Sequence, residues 1–288
     1  MSESSSAGEI SNGALWWEGF RCGLINLVRC RSRYAFRQSA RLLLCPVDLW
    51  RYHEFRAVLS AYRGDSDVLD LGSPKLLALC LARLHGVPVV ATDIIPEVGE
   101  ECALYERAAW PGALDARQCD ARAMPFDAAS FSFIYSVSVL EHIAADGDTE
   151  AVREIARMLA PGGRAVITVP LVPEYHERWI DADPYGRQER NEVGKVFFSR
   201  YYDWQSLEAR IIRPSGLTLI QSRAWQERRP GWYARYCSRT ANPALPIAIL
   251  TKALDPRWSA RELEPIDETP IIAERHGVVA LTFEEPTG

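Results

Sequence analysis

The sequence predicts an α/β protein built on a doubly wound, mostly parallel sheet. Three observations lead there. Short apolar runs alternate with helical patterns from Val68 to Val169, the rhythm of parallel βαβ units. Gly72 ends the first run in a turn that opens a helix. Polar residues fall at four consecutive strand ends: Asp70 with Gly72, then Asp93, Asp120 and Ser136. Open sheets of this kind bind ligands beyond the carboxyl ends of their strands.

Composition sets the outer limits. The 288 residues are 48% hydrophobic and 25% charged, which excludes a disordered or fibrous chain. The net charge of −5 lacks the basic surplus of a general nucleic-acid binder, so no nucleic-acid partner is expected. No run approaches the ~18 apolar residues of a membrane-spanning helix. Of the 33 basic residues only Lys75, Lys195 and Lys252 are lysine, the mark of a GC-rich genome. A single Arg is therefore weak evidence for anion recognition. The seven Cys form no CxxC pair, and no His/Cys/Asp cluster has ligand spacing, so neither disulfides nor a metal are expected. Residues 1–12 are Ser/Glu-rich and read as a disordered tail without signal-peptide order, and a cytoplasmic location is expected.

The elements follow in order. Residues 13–63 are expected to form an N-terminal helical cap. Trp16, Phe20, Leu24, Leu27 and Val28 share one side of its first helix. Six Arg and no acid lie between Gly19 and Val47. The plainer expectation is that the apolar face packs on the main domain with the Arg solvated. The alternative is a segment that lies on a membrane surface or covers an anionic ligand. Asp48 can cap a helix running to Arg63, with Gly64 closing it.

Val68–Leu71 is the first strand. Ser73 at the cap and Pro74 at the first helical position open the next helix. Strands are expected at Val89–Thr92, Leu114–Cys119, Phe131–Ser136 and Ala165–Val169, with helices over about 97–109 and 150–159. Residues 171–202 are too long for an ordinary connection and are expected to form a lid. A helix over 203–212 and a strand over 217–225 come next. A basic-aromatic patch follows, with Arg228, Arg229, Trp232, Tyr233, Arg235 and Tyr236, before a last strand at 276–283.

Several of these pieces match a family. They are Val68-Leu69-Asp70-Leu71-Gly72, Ala91-Thr92-Asp93, Asp120 through Asp127 (DARAMPFD), Leu140-Glu141-His142-Ile143, and Ala160-Pro161-Gly162-Gly163. In this order over about residues 65–170 the chain resembles class I S-adenosylmethionine-dependent methyltransferases of the small-molecule branch. The resemblance implies a Rossmann-like methyltransferase fold over residues 64–288 and S-adenosyl-L-methionine as cofactor. It implies methyl transfer to an O, N or C atom of a small-molecule acceptor.

The resemblance also assigns positions. Asp93, with Ile94 beside it, would meet the ribose, and Asp120 and Ala121 the adenine. Asp70, Gly72, Ser73 and Ser136 would lie along the methionine part. Pro74 stands where the family usually has a second Gly, and it removes an amide donor. Lys75 is the residue available to pair with the cofactor carboxylate in its place. His142 and His176 are the candidate general bases. Trp16, Tyr52, His53, Tyr175, His176 and Tyr201 are expected to supply pocket-lining residues. Pro74 keeps open a non-catalytic ligand-binding or regulatory protein. The Arg-rich N-terminal segment keeps open a peripheral-membrane lipid methyltransferase.

Overall fold

The structure is a computed structural model, and it describes residues 10–29, 32–181, 190–240, 246–266 and 275–287. An eight-stranded sheet organises it. Its parallel half holds β1 (Val68–Leu71), β2 (Val89–Asp93), β3 (Leu114–Gln118), β4 (Phe131–Val137) and β5 (Leu159–Leu171). Beyond β5 the order continues through β10 (Gly277–Glu284), β8 (Thr218–Glu227) and β9 (Leu263–Ile266), all antiparallel to their neighbours. The full order is β3-β2-β1-β4-β5-β10-β8-β9. Strand order reverses at β1, so the crevice between β1 and β4 is the switch point where such sheets open to ligands.

The sheet is buried on both faces, which is why its central strands read as unbroken apolar runs. Val68, Val89, Ala91, Phe133, Tyr135, Val137 and Val166 face one layer. That layer holds α1 (Asn12–Val28), α2 (Arg33–Leu44), α3 (Arg51–Ala61), α4 (Lys75–His85) and α5 (Val98–Glu106). Leu69, Leu71, Ile134, Ala165, Ile167 and Val169 face the other, packing on α6 (Gly147–Met158) and on the helical stretch 204–215. That stretch runs from α7 (Trp204–Leu207) through one wide turn, Glu208–Ile212, to α8 (Arg213–Ser215). Asp148 ties this layer together. Its buried carboxylate accepts from Arg210 and the Tyr202 hydroxyl at 2.7–2.8 Å and forms an ion pair with Arg200 at 3.1 Å.

Four local expectations are corrected. Asn12 already belongs to α1, capped by Ser11, whose hydroxyl accepts from Ala14; residues 1–9 of the expected tail lie outside the described residues. Asp48 caps nothing, because Lys252 takes its carboxylate at 2.6 Å and α3 begins at Arg51. Ser73 does not cap α4 either, since its hydroxyl is used across the sheet by the Val137 amide. The Pro161-Gly162-Gly163 turn does not precede β5 but lies within it, where the pairing with β4 slips.

The packing of α1 is the largest correction. Its buried face is Leu15, Gly19, Cys22, Gly23 and Asn26, while Trp17, Leu24, Leu27 and Val28 are exposed. The two glycines decide this. A Cβ on Gly19 would stand 2.5 Å from Pro46, and one on Gly23 would stand 3.0 Å from Leu42. Only the small-residue face lets α1 approach its neighbours, so the bulky residues turn outward.

Within the expected lid, β6 (His176–Ile180) and β7 (Val196–Tyr201) form a separate antiparallel ribbon outside the main sheet. Residues 182–189 of the expected lid are not among those described. In the 228–236 patch Arg228, Arg229 and Arg235 are exposed, while two of its aromatics turn inward. Trp232 and Tyr236 of α9 (Trp232–Thr240) are buried against Leu49 and Leu263, and Arg229 pairs with Glu262. Beyond it lie α10 (Pro246–Ala253) and α11 (Asp255–Glu262).

One buried acid in this C-terminal part makes stability depend on pH. Asp255 is fully buried, and Tyr236 donates to both its oxygens at 2.8–2.9 Å. Burial pushes its carboxyl up to about 7; the Tyr236 hydroxyl opposes this, and the nearby Asp48 adds to it. Unfolded, an Asp titrates near ~3.9. The folded chain therefore holds the extra proton between these values, and stability falls as pH rises through that window. Asp255→Asn should remove this slope, which is worth on the order of 3–4 kcal/mol across the window. Urea melts at pH 5 and pH 8 check it: the variant should lose less stability on going to pH 8 than the parent.

Candidate active site

At the end of β1 the chain turns through Gly72, with φ +71°. A Cβ there would stand 2.9 Å from Val139, so both the dihedral and the crowding require glycine. The turn is then tied internally. Asp70 accepts from the Ser73 amide at 2.9 Å and from Lys75 Nζ at 2.8 Å. The same ammonium donates to the carbonyls of Ser73 and Thr92, both at 2.9 Å. Ser73 Oγ accepts from the Val137 amide, and Ser136 Oγ donates to Leu71 O. The ends of β1, β2 and β4 are thus laced together. Burial acts to neutralise Lys75, but the Asp70 carboxylate outweighs it and holds the ammonium above its ordinary range.

This arrangement bears on the expected role of Lys75. An ammonium has three donors. All three are committed inside the protein, and the side chain is 1% exposed. Lys75 is a tie between strands, with no proton left for a ligand carboxylate.

The neighbouring strand ends are open. Asp93 is half-buried, and among the described residues only its Oδ1 takes a bond, from the Ile95 amide at 3.2 Å. Ile94 beside it is exposed. Asp120 follows β3 and is clasped by Arg122 at 2.7–3.2 Å, whose hydrogen bonds hold its carboxyl below the usual range. Ala121 is half-buried next to it. One acid with an open oxygen, an exposed aliphatic side chain and a second acid suit a nucleoside: a diol, a flat base and an exocyclic amine. The donor set therefore fits the nucleoside part of S-adenosylmethionine.

Next to this groove lies a cavity of 360 Å³. The two meet at the end of β4, where Val139 packs on Gly72 and its neighbour Ser138 lines the cavity. Ser138 has φ +50°, a strained value for a residue with a side chain. Hydrogen bonds hold it there. Its hydroxyl donates to Glu54 at 2.8 Å and accepts from Arg51. Glu54, fully buried on α3, also accepts from Thr168 of β5 at 2.6 Å and from Arg51 at 2.6 Å.

His142 lies on the short helical turn after β4 and lines the same cavity. Its Nδ1 is 2.6 Å from the carbonyl of Phe198. A carbonyl only accepts, so Nδ1 carries the proton and Nε2 is the basic nitrogen. Nε2 stands 3.9 Å from Glu141 Oε1. Burial pushes the Glu141 carboxyl up. Its Oε2, and the hydroxyl of Ser199 on the same cavity wall, are buried without hydrogen-bond partners among the described residues. Trp50, Phe198, Tyr201, Tyr233 and Tyr236 supply aromatic surface.

The expected lining is thus found only in part. Tyr201 lines the cavity. Tyr52 is buried in the core, and His53 is held between Ser259 O and Arg56. Burial pushes the His53 imidazole down to about 4. Trp16 stacks on Phe20, and Tyr175 bonds to Glu177. His176 is exposed and stacks at 4.8 Å on Tyr201, without itself lining the cavity. Sequence reasoning missed Arg51, Glu54, Glu141 and Ser199. Glu54 carried a signal: it is the one acid of α3 and lies one turn before Val58 of the apolar stripe.

Comparison with known proteins bears on the fold and the domain type. Residues 69–167 match the family described as "Methyltransferase domain". O-methyltransferase resE of Aspergillus sclerotiorum is 34% identical over 116 residues, 40% of this chain and 43% of that protein. The biotin biosynthesis bifunctional protein BioHC of Cellvibrio japonicus is 31% identical over 130 residues, 44% of this chain and 25% of that one. The chain thus spans less than half the length of these curated relatives. Among solved structures, a putative methyltransferase of Bacillus halodurans aligns with TM-score 0.51 at 16% identity, covering 80% of this chain and 96% of that one. Geranyl diphosphate C-methyltransferase of Streptomyces coelicolor A3(2), solved with Mg²⁺, geranyl diphosphate and S-adenosyl-L-homocysteine, aligns with TM-score 0.50 at 12% identity, covering 90% and 85%. At such identities the likeness is one of fold. Sheet order, the Gly72 turn and the family match converge on a methyltransferase domain over residues 69–167, carried on the Rossmann-like fold.

Proposed function

We infer that the chain transfers the methyl group of S-adenosylmethionine to a hydroxyl oxygen of a small acceptor held in the 360 Å³ cavity. One observation carries this reading: Phe198 O fixes the His142 tautomer so that the basic Nε2 belongs to a cavity-lining side chain. When bound, the cofactor supplies an electrophilic methyl on a sulfonium sulfur. Asp93 would hold the ribose hydroxyls, Ile94 and Ala121 the faces of the base, and Asp120 its amine once Arg122 yields. Gly72, Ser73, Asp70 and Ser136 would border the rest.

His142 Nε2 would take the acceptor's hydroxyl proton as the oxygen–carbon bond forms and the carbon–sulfur bond breaks, leaving a neutral thioether. Glu141, 3.9 Å away, would favour the imidazolium that results. The aromatic wall suits an acceptor with a ring. The unpartnered Glu141 Oε2 and Ser199 Oγ suit one that also brings a hydrogen-bond donor. The name of the relative resE, an O-methyltransferase, supports oxygen over nitrogen or carbon. In this reading residues 64–288 form the catalytic domain. The 13–63 helices and the 171–202 ribbon cover the cavity, excluding water and aligning the acceptor.

A second reading is a protein that binds a nucleoside without catalysis. The saturated turn favours it, because the groups of Asp70, Ser73 and Lys75 are already paired within the chain. Calorimetric titration with S-adenosylhomocysteine and 5′-methylthioadenosine separates the two. A catalyst should bind the first, whereas binding of the second alone would favour the non-catalytic reading.

Three outcomes are expected. Asp93→Ala should weaken S-adenosylhomocysteine binding by ~1.5–3 kcal/mol, the range for charged hydrogen bonds; unchanged affinity in calorimetry would remove the ribose assignment. His142→Ala should lower methyl transfer to a phenolic acceptor, identified with labelled S-adenosylmethionine, by about 10²–10⁴-fold. Its S-adenosylhomocysteine affinity should stay at the parent value; full turnover would exclude the base role. Lys75→Met should destabilise the fold by ~3–5 kcal/mol, because it strands a buried Asp70. Adding Asp70→Asn should restore much of that loss, as read by chemical denaturation.

A further inference from the structure

The hairpin of α1 and α2 presents a surface that the methyl-transfer reading does not use. Four large apolar side chains stand in solvent at its tip: Val28 at 88% exposure, Phe36 at 55%, Leu24 at 43% and Leu27 at 39%. The last turns of α1 and the first of α2 carry them, so they are close whatever the tilt of the helices. Arg29, Arg33 and Arg37 are exposed among them. Residues 12–47 carry six Arg and one acid, Glu18, in a chain of net charge −5. An acid of α5, Glu100, borders the tip where it accepts from Ser32 at 3.1 Å.

The exposure is not a loose end of packing. The opposite face of α1 is closed by the contacts at Gly19 and Gly23, and Asn26 there donates to Leu104 O at 2.6 Å. Rolling the helix to bury Leu24 and Val28 would break that bond and drive large side chains into Pro46 and Leu42. The apolar stripe is therefore fixed outward. Trp17 at 53% exposure continues it along α1, and α10, which touches α2, adds Ile247 at 55% and Leu250 at 68%.

We propose that the hairpin tip is a docking surface for an anionic lipid bilayer. Leu24, Leu27, Val28 and Phe36 enter the headgroup boundary, while Arg29, Arg33 and Arg37 meet lipid phosphates. Apolar insertion combined with basic side chains is the pattern of interfacial helices. The charge bias selects an anionic surface over a neutral one. No helix among the described residues is long and apolar enough to cross a membrane, so the contact is peripheral. The position has a consequence for the cavity. From α2 the chain runs directly into Asp48, Leu49 and Trp50 of the cavity wall, and α10 adds Lys252. Docking by these elements sets the cavity beside the bilayer surface.

Sedimentation of the full chain with vesicles tests this. The protein should pellet with phosphatidylcholine vesicles containing phosphatidylglycerol, and remain in the supernatant with pure phosphatidylcholine. Arg33→Glu with Arg37→Glu should lower the bound fraction by at least about fivefold for each Arg removed. Phe36→Asp should abolish pelleting while thermal melting stays close to the parent value, since the residue is 55% exposed. Two substitutions at the exposed Arg117 and Arg213, away from the hairpin, should leave pelleting unchanged. Failure to pellet with the anionic vesicles overturns the proposal. So does a dimer in sedimentation velocity that Phe36→Asp dissociates, which would make the tip an interface between copies.

Discussion

The buried ammonium of Lys75 is the contact on which the ligand edge of the sheet depends. Three strands, β1, β2 and β4, end there. Lys75 collects the Asp70 carboxylate and the carbonyls of Ser73 and Thr92 at 2.8–2.9 Å. A buried cation pays a large desolvation cost and persists only when fully bonded. Here all three protons are used, so the geometry is fixed by the number of donors. Pro74 belongs to the same solution. It gives up an amide at the start of α4 and sets the chain so that Lys75 reaches back under the turn.

Across the crevice a buried anion does the equivalent work. Glu54 of α3 accepts from Ser138, Thr168 and Arg51, joining the N-terminal helices to the ends of β4 and β5. Its bonds hold Ser138 at φ +50°, and Val139, the next residue, sits against Gly72. The two buried charges therefore act on adjacent residues of one segment. Lys75 fixes the floor of the groove, and Glu54 fixes where the cavity begins. The cap helices are part of the site through this carboxylate and not through the aromatic residues that first draw attention.

Much of this was legible in the sequence, and for a definite reason. Strands buried on both faces must be apolar throughout, so Val68–Leu71, Val89–Thr92 and Phe131–Ser136 stood out, and the acids at their ends marked the ligand edge. The parts that escaped depend on partners far apart in the chain. Asp48 looks like a cap, yet Lys252, about 200 residues away, claims it. Ser73 likewise looks like a cap until β4 takes its hydroxyl. Periodicity showed that α1 has an apolar side, but not that the side would face outward. The deciding residues were Gly19 and Gly23, whose lack of a side chain carries no weight in a hydrophobic pattern and permits the closest packing in the cap.

The two halves of the site differ in how completely they are bonded. At the turn after β1 the side chains of Asp70, Ser73 and Lys75 are all paired within the chain, which makes that edge rigid. On the cavity wall Glu141 Oε2 and Ser199 Oγ are buried without a partner among the described residues. An unsatisfied buried polar atom costs ~1–3 kcal/mol, and a folded chain seldom keeps two on one wall without compensation. Both lie next to His142, whose ring is held by Phe198. The glycine turn is therefore closed to further side-chain bonds, while this stretch of wall keeps two oxygens able to meet a second molecule. Under the methyl-transfer reading proposed above, those oxygens stand at the reactive end of the cavity, at the turn after β4.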